Sequence, residues 1–223
     1  MSGPATPAIG PAAGSAAGPT GDCPLCPRLA AFRAANRAAY PDFFNAPVPS
    51  FGELSARLLV VGLAPGLRGA NRTGRPFTGD GAGEVLYPAL QAAGFAKGTY
   101  GADPADGFRL VDARITNAVR CVPPENKPTG AEAVACRPFL AAEIAAMPNL
   151  AAVLCLGLVS HKQVLAALGR RQAAVPFRHG EAYDLGGFRL YDSYHCSRYN
   201  MNTGRLTTAM FAEVFGRIAA DLR

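Results

Sequence analysis

An aromatic ring, a carboxamide and an imidazole occupy matching places in this chain. Each stands in a loop that follows a short apolar run: Phe77 beyond Leu58-Leu59-Val60-Val61, Asn117 beyond residues 109–115, and His195 beyond residues 188–193. The three types together suit recognition of a flat heterocycle. A ring stacks on it, an amide pairs with an edge carrying a donor beside an acceptor, and an imidazole stabilises charge leaving on the heterocycle. Asp80 lies three residues beyond Phe77 in the same loop. The other two histidines, His161 and His179, read as solvated or core-satisfied.

A second set of groups could hold a metal. Cys23 and Cys26 form a C-x2-C pair, and Cys121 and Cys136 are separated by fourteen residues. Four thiolates satisfy either a structural zinc or a cubane iron–sulfur cluster, and the residue types do not separate these from each other or from unrelated thiols. Disulfides are disfavoured without an export signal. Cys155, inside AAVLCLGLV, reads as a small buried hydrophobe, and Cys196 as part of a pocket wall.

These groups need a scaffold, and composition bounds it. A chain of 223 residues with 49% hydrophobic content can bury one substantial core. Residues 1–21 contain only Ala, Gly, Pro, Ser, Thr, Ile and Met with no periodic apolar face, so a disordered tail followed by one domain over 22–223 is expected. The formal charge of +6 fits a polyanionic partner without establishing one. No run of 18 apolar residues argues for a membrane span, and the N-terminus lacks the basic and apolar regions of a secretory signal.

Four strands are expected at about residues 57–62, 109–115, 152–157 and 188–193. Helices are expected after Cys26, over residues 81–94 with a kink or boundary at Pro88, from a Thr129/Glu132 capping box to about Met147, after Leu158, and at the C-terminus behind Thr203 or Thr207. Phe43 and Phe44 are expected against the core. The alternation gives an α/β fold, a three-layer α/β/α sandwich around a mainly parallel four-stranded sheet. Its strand-end loops would bring Phe77, Asp80, Asn117 and His195 to one crevice. A nucleotide-binding fold is disfavoured, because Gly62-Leu63-Ala64-Pro65-Gly66 lacks the G-x-G-x-x-G spacing.

Three stretches resemble the motifs of one family. Gly62-Leu63-Ala64-Pro65-Gly66 with residues 75–80 (RPFTGD), residues 116–121 (TNAVRC) and residues 195–207 (HCSRYNMNTGRLT) are similar to those of the iron–sulfur uracil-DNA glycosylases, nearest to the type-b branch, or family 5. The likeness runs from Cys23 through the C-terminal helix. It implies a structural [4Fe-4S] cluster on Cys23, Cys26, Cys121 and Cys136. It also implies flipping of a deaminated base out of DNA and hydrolysis of its N-glycosidic bond.

By the same resemblance Phe77 stacks on the base, Asn117 reads its edge and His195 donates to the departing O2. Gly62, Leu63, Ala64 and Gly66 line the pocket. Arg198 and Tyr199 face the DNA, whereas the loop residues Arg68, Arg72 and Arg75 read either as DNA-binding phosphate contacts or as a solvated surface. Leu63 and Ala64 cannot polarise water, so either Asp80 takes that role, as the type-b pattern implies, or water enters late and attacks an already formed cation; the competing reading of Asp80 is the cap of the helix near Gly81. Cys196 and Arg198 stand where much of the superfamily has proline. A monomer acting on uracil-containing DNA in the cytoplasm is implied, and the alternative is a non-catalytic binder of uracil or abasic sites.

Overall fold

Leu58–Gly62 (β1) is buried at every position, as expected of a strand covered on both faces. It is the second strand of a five-stranded sheet. Ala113–Asn117 (β4) pairs parallel on one side of β1, and Ala152–Leu156 (β5) on the other. Arg189–Ser193 (β7) follows in parallel, and Ala182–Asp184 (β6) closes the edge in the antiparallel sense, giving the order β4-β1-β5-β7-β6. Three of the four parallel strands match the expected ones, β4 starts later than expected, and the antiparallel edge strand is an addition. A computed structural model provides the coordinates and describes residues 18–223, so most of the expected tail lies outside the described residues.

Alternate residues of the strands feed two cores. Leu58, Val60, Leu154 and Tyr191 pack with Leu86, Leu90, Phe211 and Phe215 on one face. Leu59, Val61, Val153 and Leu190 pack with Leu140, Ile144, Val164 and Leu165 on the other. Helices Gly83–Ala92 (α3) and Thr208–Asp221 (α7) therefore cover the first face. Gly130–Ala145 (α4) and Leu158–Ala167 (α5) cover the second. This is the three-layer arrangement the alternation implies.

Local chemistry sets the element ends. The Thr129/Glu132 capping box starts α4, and Thr207 rather than Thr203 caps α7. Helix Pro27–Ala39 (α1) begins with proline in its first turn, where a missing N–H costs nothing. Two short helices, Ala70–Thr73 (α2) and Arg198–Asn202 (α6), lie in the loops after β1 and β7.

Two expectations need correction and a third narrows. The strand expected over residues 109–115 is broken at Asp112, whose φ is +53°; Arg109–Leu110 (β3) pairs with Ala96–Lys97 (β2) in a separate antiparallel ribbon, and β4 starts after the break. α3 runs through Pro88, so of the two readings of that residue the boundary is excluded. Phe43 and Phe44 are not core residues: Phe43 is half-buried and stacks on Tyr40, and Phe44 is exposed, lying across Gly74.

Candidate active site

In the β1–β4 ladder Gly62 stands opposite Asn117, at the carboxyl edge of the sheet. Absence of a side chain at Gly62 is what admits the other groups. A Cβ there would lie 2.4 Å from Asn117 Oδ1 and 2.6 Å from Phe77 Cζ. The amide and the ring thus meet over one glycine. Phe77 and His195 are near-parallel, with ring centroids 5.9 Å apart and 26° between planes. Gly157, which follows the intervening strand β5, is glycine for its backbone, whose φ is +93°; a Cβ on it would stand in ordinary contact with that of His195, at 3.6 Å.

Asn117 is 3% exposed, and its Oδ1 has no hydrogen-bond partner among the described residues. A buried acceptor left unpaired costs about 1–3 kcal/mol, so such an atom calls for a partner. Phe77 carries a second cost. Its φ of +53° places a bulky residue in the left-handed region, worth roughly 1–3 kcal/mol, and such strain gathers at functional sites. Burial lowers the pKa of the His195 imidazole below its ordinary value, although the Asp80 charge pulls the other way. Neutral at physiological pH, the ring keeps one N–H to donate.

Of the two roles the sequence left open for Asp80, the structure shows the helix cap. Its Oδ1 accepts from the backbone N–H groups of Ala82 (3.1 Å) and Gly83 (3.2 Å), capping the start of α3. Its Oδ2 lies against two glycines, 2.3 Å from a Cβ built on Gly69 and 3.3 Å from one built on Gly66. A methyl on Gly69 would displace the carboxylate, and one on Gly66 would press on it by no more than a few tenths of an ångström. Gly66 therefore lines the site. Gly62 and Leu63 contribute backbone, their carbonyls accepting from Ala118 and Val119 at 2.9 Å each. Ala64 packs away from Phe77, against the apolar group that includes Cys121 and Cys136.

Among the expected DNA-facing residues the structure divides sharply. Arg68, Arg72, Arg198 and Tyr199 are exposed, Tyr199 at 72%. The Arg198 side chain runs over the backbone of Gly81. Arg75 does not belong with them. It is 5% exposed and bidentate to Asp106 at 2.8 and 2.7 Å, so it has no free face to offer a phosphate.

The four thiols converge as the spacing suggested. Cys23, Cys26, Cys121 and Cys136 line one pocket with Leu29, Arg33, Val119 and Phe139. Arg28, on α1, makes a two-pronged ion pair with Glu132 of α4 at 2.7 Å, which ties the first cysteine pair to the second. Burial pushes the Cys121 thiol up to about 11, with the Arg33 guanidinium pulling it down and neighbouring thiols pushing it up. Arg33 Nη1 lies 3.7 Å from Cys121 Sγ, and the Arg120 N–H donates to Cys136 Sγ at 3.4 Å. Among the described residues no three His, Cys, Asp or Glu side chains form a group that could hold a metal ion. The four sulfurs line one pocket with donors aimed at two of them, a ligand set that zinc or a cubane iron–sulfur cluster would each accept.

The remaining cysteines and histidines are structural. Cys155 and Cys196 are fully buried. Asp192 and the Val175 carbonyl each lie 2.8 Å from a His161 ring nitrogen, and His179 Nδ1 accepts from the Tyr194 N–H at 3.1 Å. Sequence reasoning missed the aromatic bracing of the Phe77 loop by Tyr87 and Tyr100. The tyrosines were visible, but nothing in their spacing pointed to that loop. No helix among the described residues is long and apolar enough to cross a membrane.

A family model described as the uracil DNA glycosylase superfamily matches residues 49–219. The chain is 46% identical over 198 residues to a type-5 uracil-DNA glycosylase of Thermus thermophilus, covering 86% of this chain and 90% of that one. It is 43% identical over 204 residues to a type-5 uracil-DNA glycosylase of Pyrobaculum aerophilum, covering 90% and 89%. Identity to a type-4 uracil-DNA glycosylase of the same organism is 34% over 137 residues, 61% of this chain and 62% of that one. Matches that span the loops after β1, β4 and β7 place this chain in the uracil DNA glycosylase superfamily, in its type-5 branch.

Proposed function

We propose that this protein removes uracil from DNA by hydrolysing the bond between the base and deoxyribose, leaving an abasic site for repair. The single observation that carries this reading is the unpaired Asn117 Oδ1 beside the Phe77 ring over Gly62. A uracil edge offers an N–H next to a carbonyl, which an amide pairs with at both atoms. The orphaned oxygen would take the N–H. Flipping the base into the pocket costs a few kcal/mol, least at mismatches.

As the glycosidic bond breaks, its electron pair moves onto the base and positive charge grows on the sugar. The His195 N–H donates to the base O2, where negative charge collects. Asp80 Oδ2, with its partner oxygen held by two backbone N–H groups, orients water toward the sugar carbon and takes its proton. The exposed Arg68, Arg72 and Arg198 contact phosphates, and Tyr199 fills the place of the flipped nucleotide. Cys23, Cys26, Cys121 and Cys136 would hold a [4Fe-4S] cluster, which supplies a cross-link between α1 and the loop before α4. Hydrolysis needs no electron transfer from it. The protein acts as a monomer on uracil-containing DNA in the cytoplasm.

The test is release of free uracil from a labelled duplex with one U·G mismatch, comparing wild type with His195→Ala and Asp80→Ala. Multiple turnover by wild type that both variants lose is expected. Tight binding without cleavage by wild type would overturn the enzyme reading and leave a lesion-binding protein.

A further inference from the structure

Residues 98–107 look featureless in the sequence, a Gly/Asp-rich connection between β2 and β3. In the structure they fold about one carboxylate. Asp106 accepts from the backbone N–H groups of Gly101 and Phe108, each at 2.9 Å, and from both terminal nitrogens of Arg75. All of its bonding capacity is used, and both partners of the ion pair are 6% exposed in their side chains.

The Arg75 guanidinium is held on its remaining sides. Its Nε donates to Thr78 Oγ1 at 2.8 Å, and its carbon lies 5.3, 5.5 and 5.8 Å from the ring centroids of Phe51, Tyr87 and Tyr100. Tyr100, from the same loop as Asp106, uses its hydroxyl twice. It donates to the Phe77 carbonyl at 3.2 Å and accepts from the Gly79 N–H at 3.3 Å. Tyr87 donates to the carbonyl of Pro76 at 2.5 Å. Residues 75–79 are thus pinned on both sides of Phe77, the residue whose backbone is left-handed. A bulky residue holds that conformation only when its surroundings over-determine it.

We propose that Asp106 and Tyr100 are positioning residues for the reaction, holding Phe77 in its left-handed conformation so that its ring forms the stacking face for the base. This rests on the reading of Phe77 as the base-stacking group. Neither residue touches the substrate. Both act through the 75–79 loop, Asp106 by fixing Arg75 and Tyr100 by bridging residues 77 and 79.

Tyr100→Phe tests this most cleanly, because it keeps the ring stacked on Tyr87 and removes only the bridging hydroxyl. Three quantities are measured on wild type, Tyr100→Phe, Asp106→Asn and Asp106→Ala. They are the single-turnover excision rate, the inhibition constant of free uracil, which probes the base pocket alone, and affinity for abasic duplex, which has no base to stack. Displacing a reacting group by a fraction of an ångström costs on the order of tenfold in rate. A fall of that size in Tyr100→Phe, a weaker uracil inhibition and an unchanged abasic affinity are expected. Asp106→Asn, keeping one acceptor oxygen, should lie between wild type and Asp106→Ala. A merely structural role would lower the melting temperature and leave the uracil inhibition constant of the folded protein unchanged, and that result overturns the proposal. If wild type neither excises uracil nor is inhibited by it, the base-stacking reading itself falls, and the positioning roles fall with it.

Discussion

Replacing Gly62 by alanine adds one methyl group where there is no room for it. Its carbon would stand 2.4 Å from Asn117 Oδ1 and 2.6 and 2.8 Å from two ring carbons of Phe77. Ordinary contact begins at 3.4 Å, so the amide must retreat by about 1 Å unless the strand moves. The strand is fixed between two parallel neighbours, and the Gly62 carbonyl accepts from Ala118 at 2.9 Å. The side chains yield instead. A displacement of about 1 Å in a reacting constellation costs on the order of a hundredfold in rate. At 1.36 kcal/mol per tenfold, this is about 2.7 kcal/mol of lost transition-state stabilisation. Overpacking removes a further ~1–3 kcal/mol of folding stability. In a chain of this size that lowers the melting temperature by roughly 2–12 °C and leaves the protein folded at assay temperature. The assay is single-turnover excision at saturating enzyme, with abasic-duplex affinity as the control. A rate near wild type in a protein shown to be folded would refute the placement of the base against Gly62.

Other expectations follow from the same geometry. The three histidines should separate in a pH titration of their ring NMR signals, His161 above the ordinary value and His179 and His195 below it. For His161 burial pulls downward, but its bond to Asp192 wins; its other nitrogen must donate to the Val175 carbonyl. A raised folded-state pKa means that the pair's stability is fully present below the unfolded value of about 6.5 and is lost as pH rises through the folded value. Urea midpoints should therefore decline with pH above neutrality in wild type and not in His161→Gln. Arg68→Ala and Arg72→Ala should each reduce the slope of log affinity against log salt by roughly 0.9, whereas Arg75→Lys should leave it unchanged and slow excision. Purified protein should carry roughly four iron and four sulfide per chain, with broad visible absorption that Cys136→Ala loses. Zinc in their place would contradict the cluster assignment.

Much of this could be read from residue order, and the failures have physical causes. β1 and β5 were legible because each is apolar at consecutive positions, as burial on both faces demands. The Thr129/Glu132 box was legible because capping is local. β6 is three partly exposed residues with no alternation to betray it. The break at Asp112 arises from a residue type that tolerates φ > 0 less readily than glycine, stabilised by carboxylate bonds to Arg57, 55 residues away. Arg75 was misassigned for the same reason: its partner lies 31 residues on, and its aromatic cradle is drawn from three separate segments. Long-range pairing decides whether a loop arginine is surface or core, and spacing within the loop carries no trace of it. The order in which Asn117, Gly62 and His195 meet at the sheet edge follows from the topology β4-β1-β5-β7, which the alternation of elements implied only in outline.

On the proposed reading, the unpaired Asn117 Oδ1 takes the ring N–H of a flipped uracil. Excision of N3-methyluracil, which lacks that N–H, tests it directly against uracil in the same duplex. A site built to bond such a group rejects an analogue without it by roughly 10⁴-fold, and a loss of that order is predicted for the wild-type protein. In Asn117→Ala the two substrates should converge on one low rate. Equal excision of both bases by the wild type would show that Asn117 does not read the base edge, and the proposed recognition would be wrong.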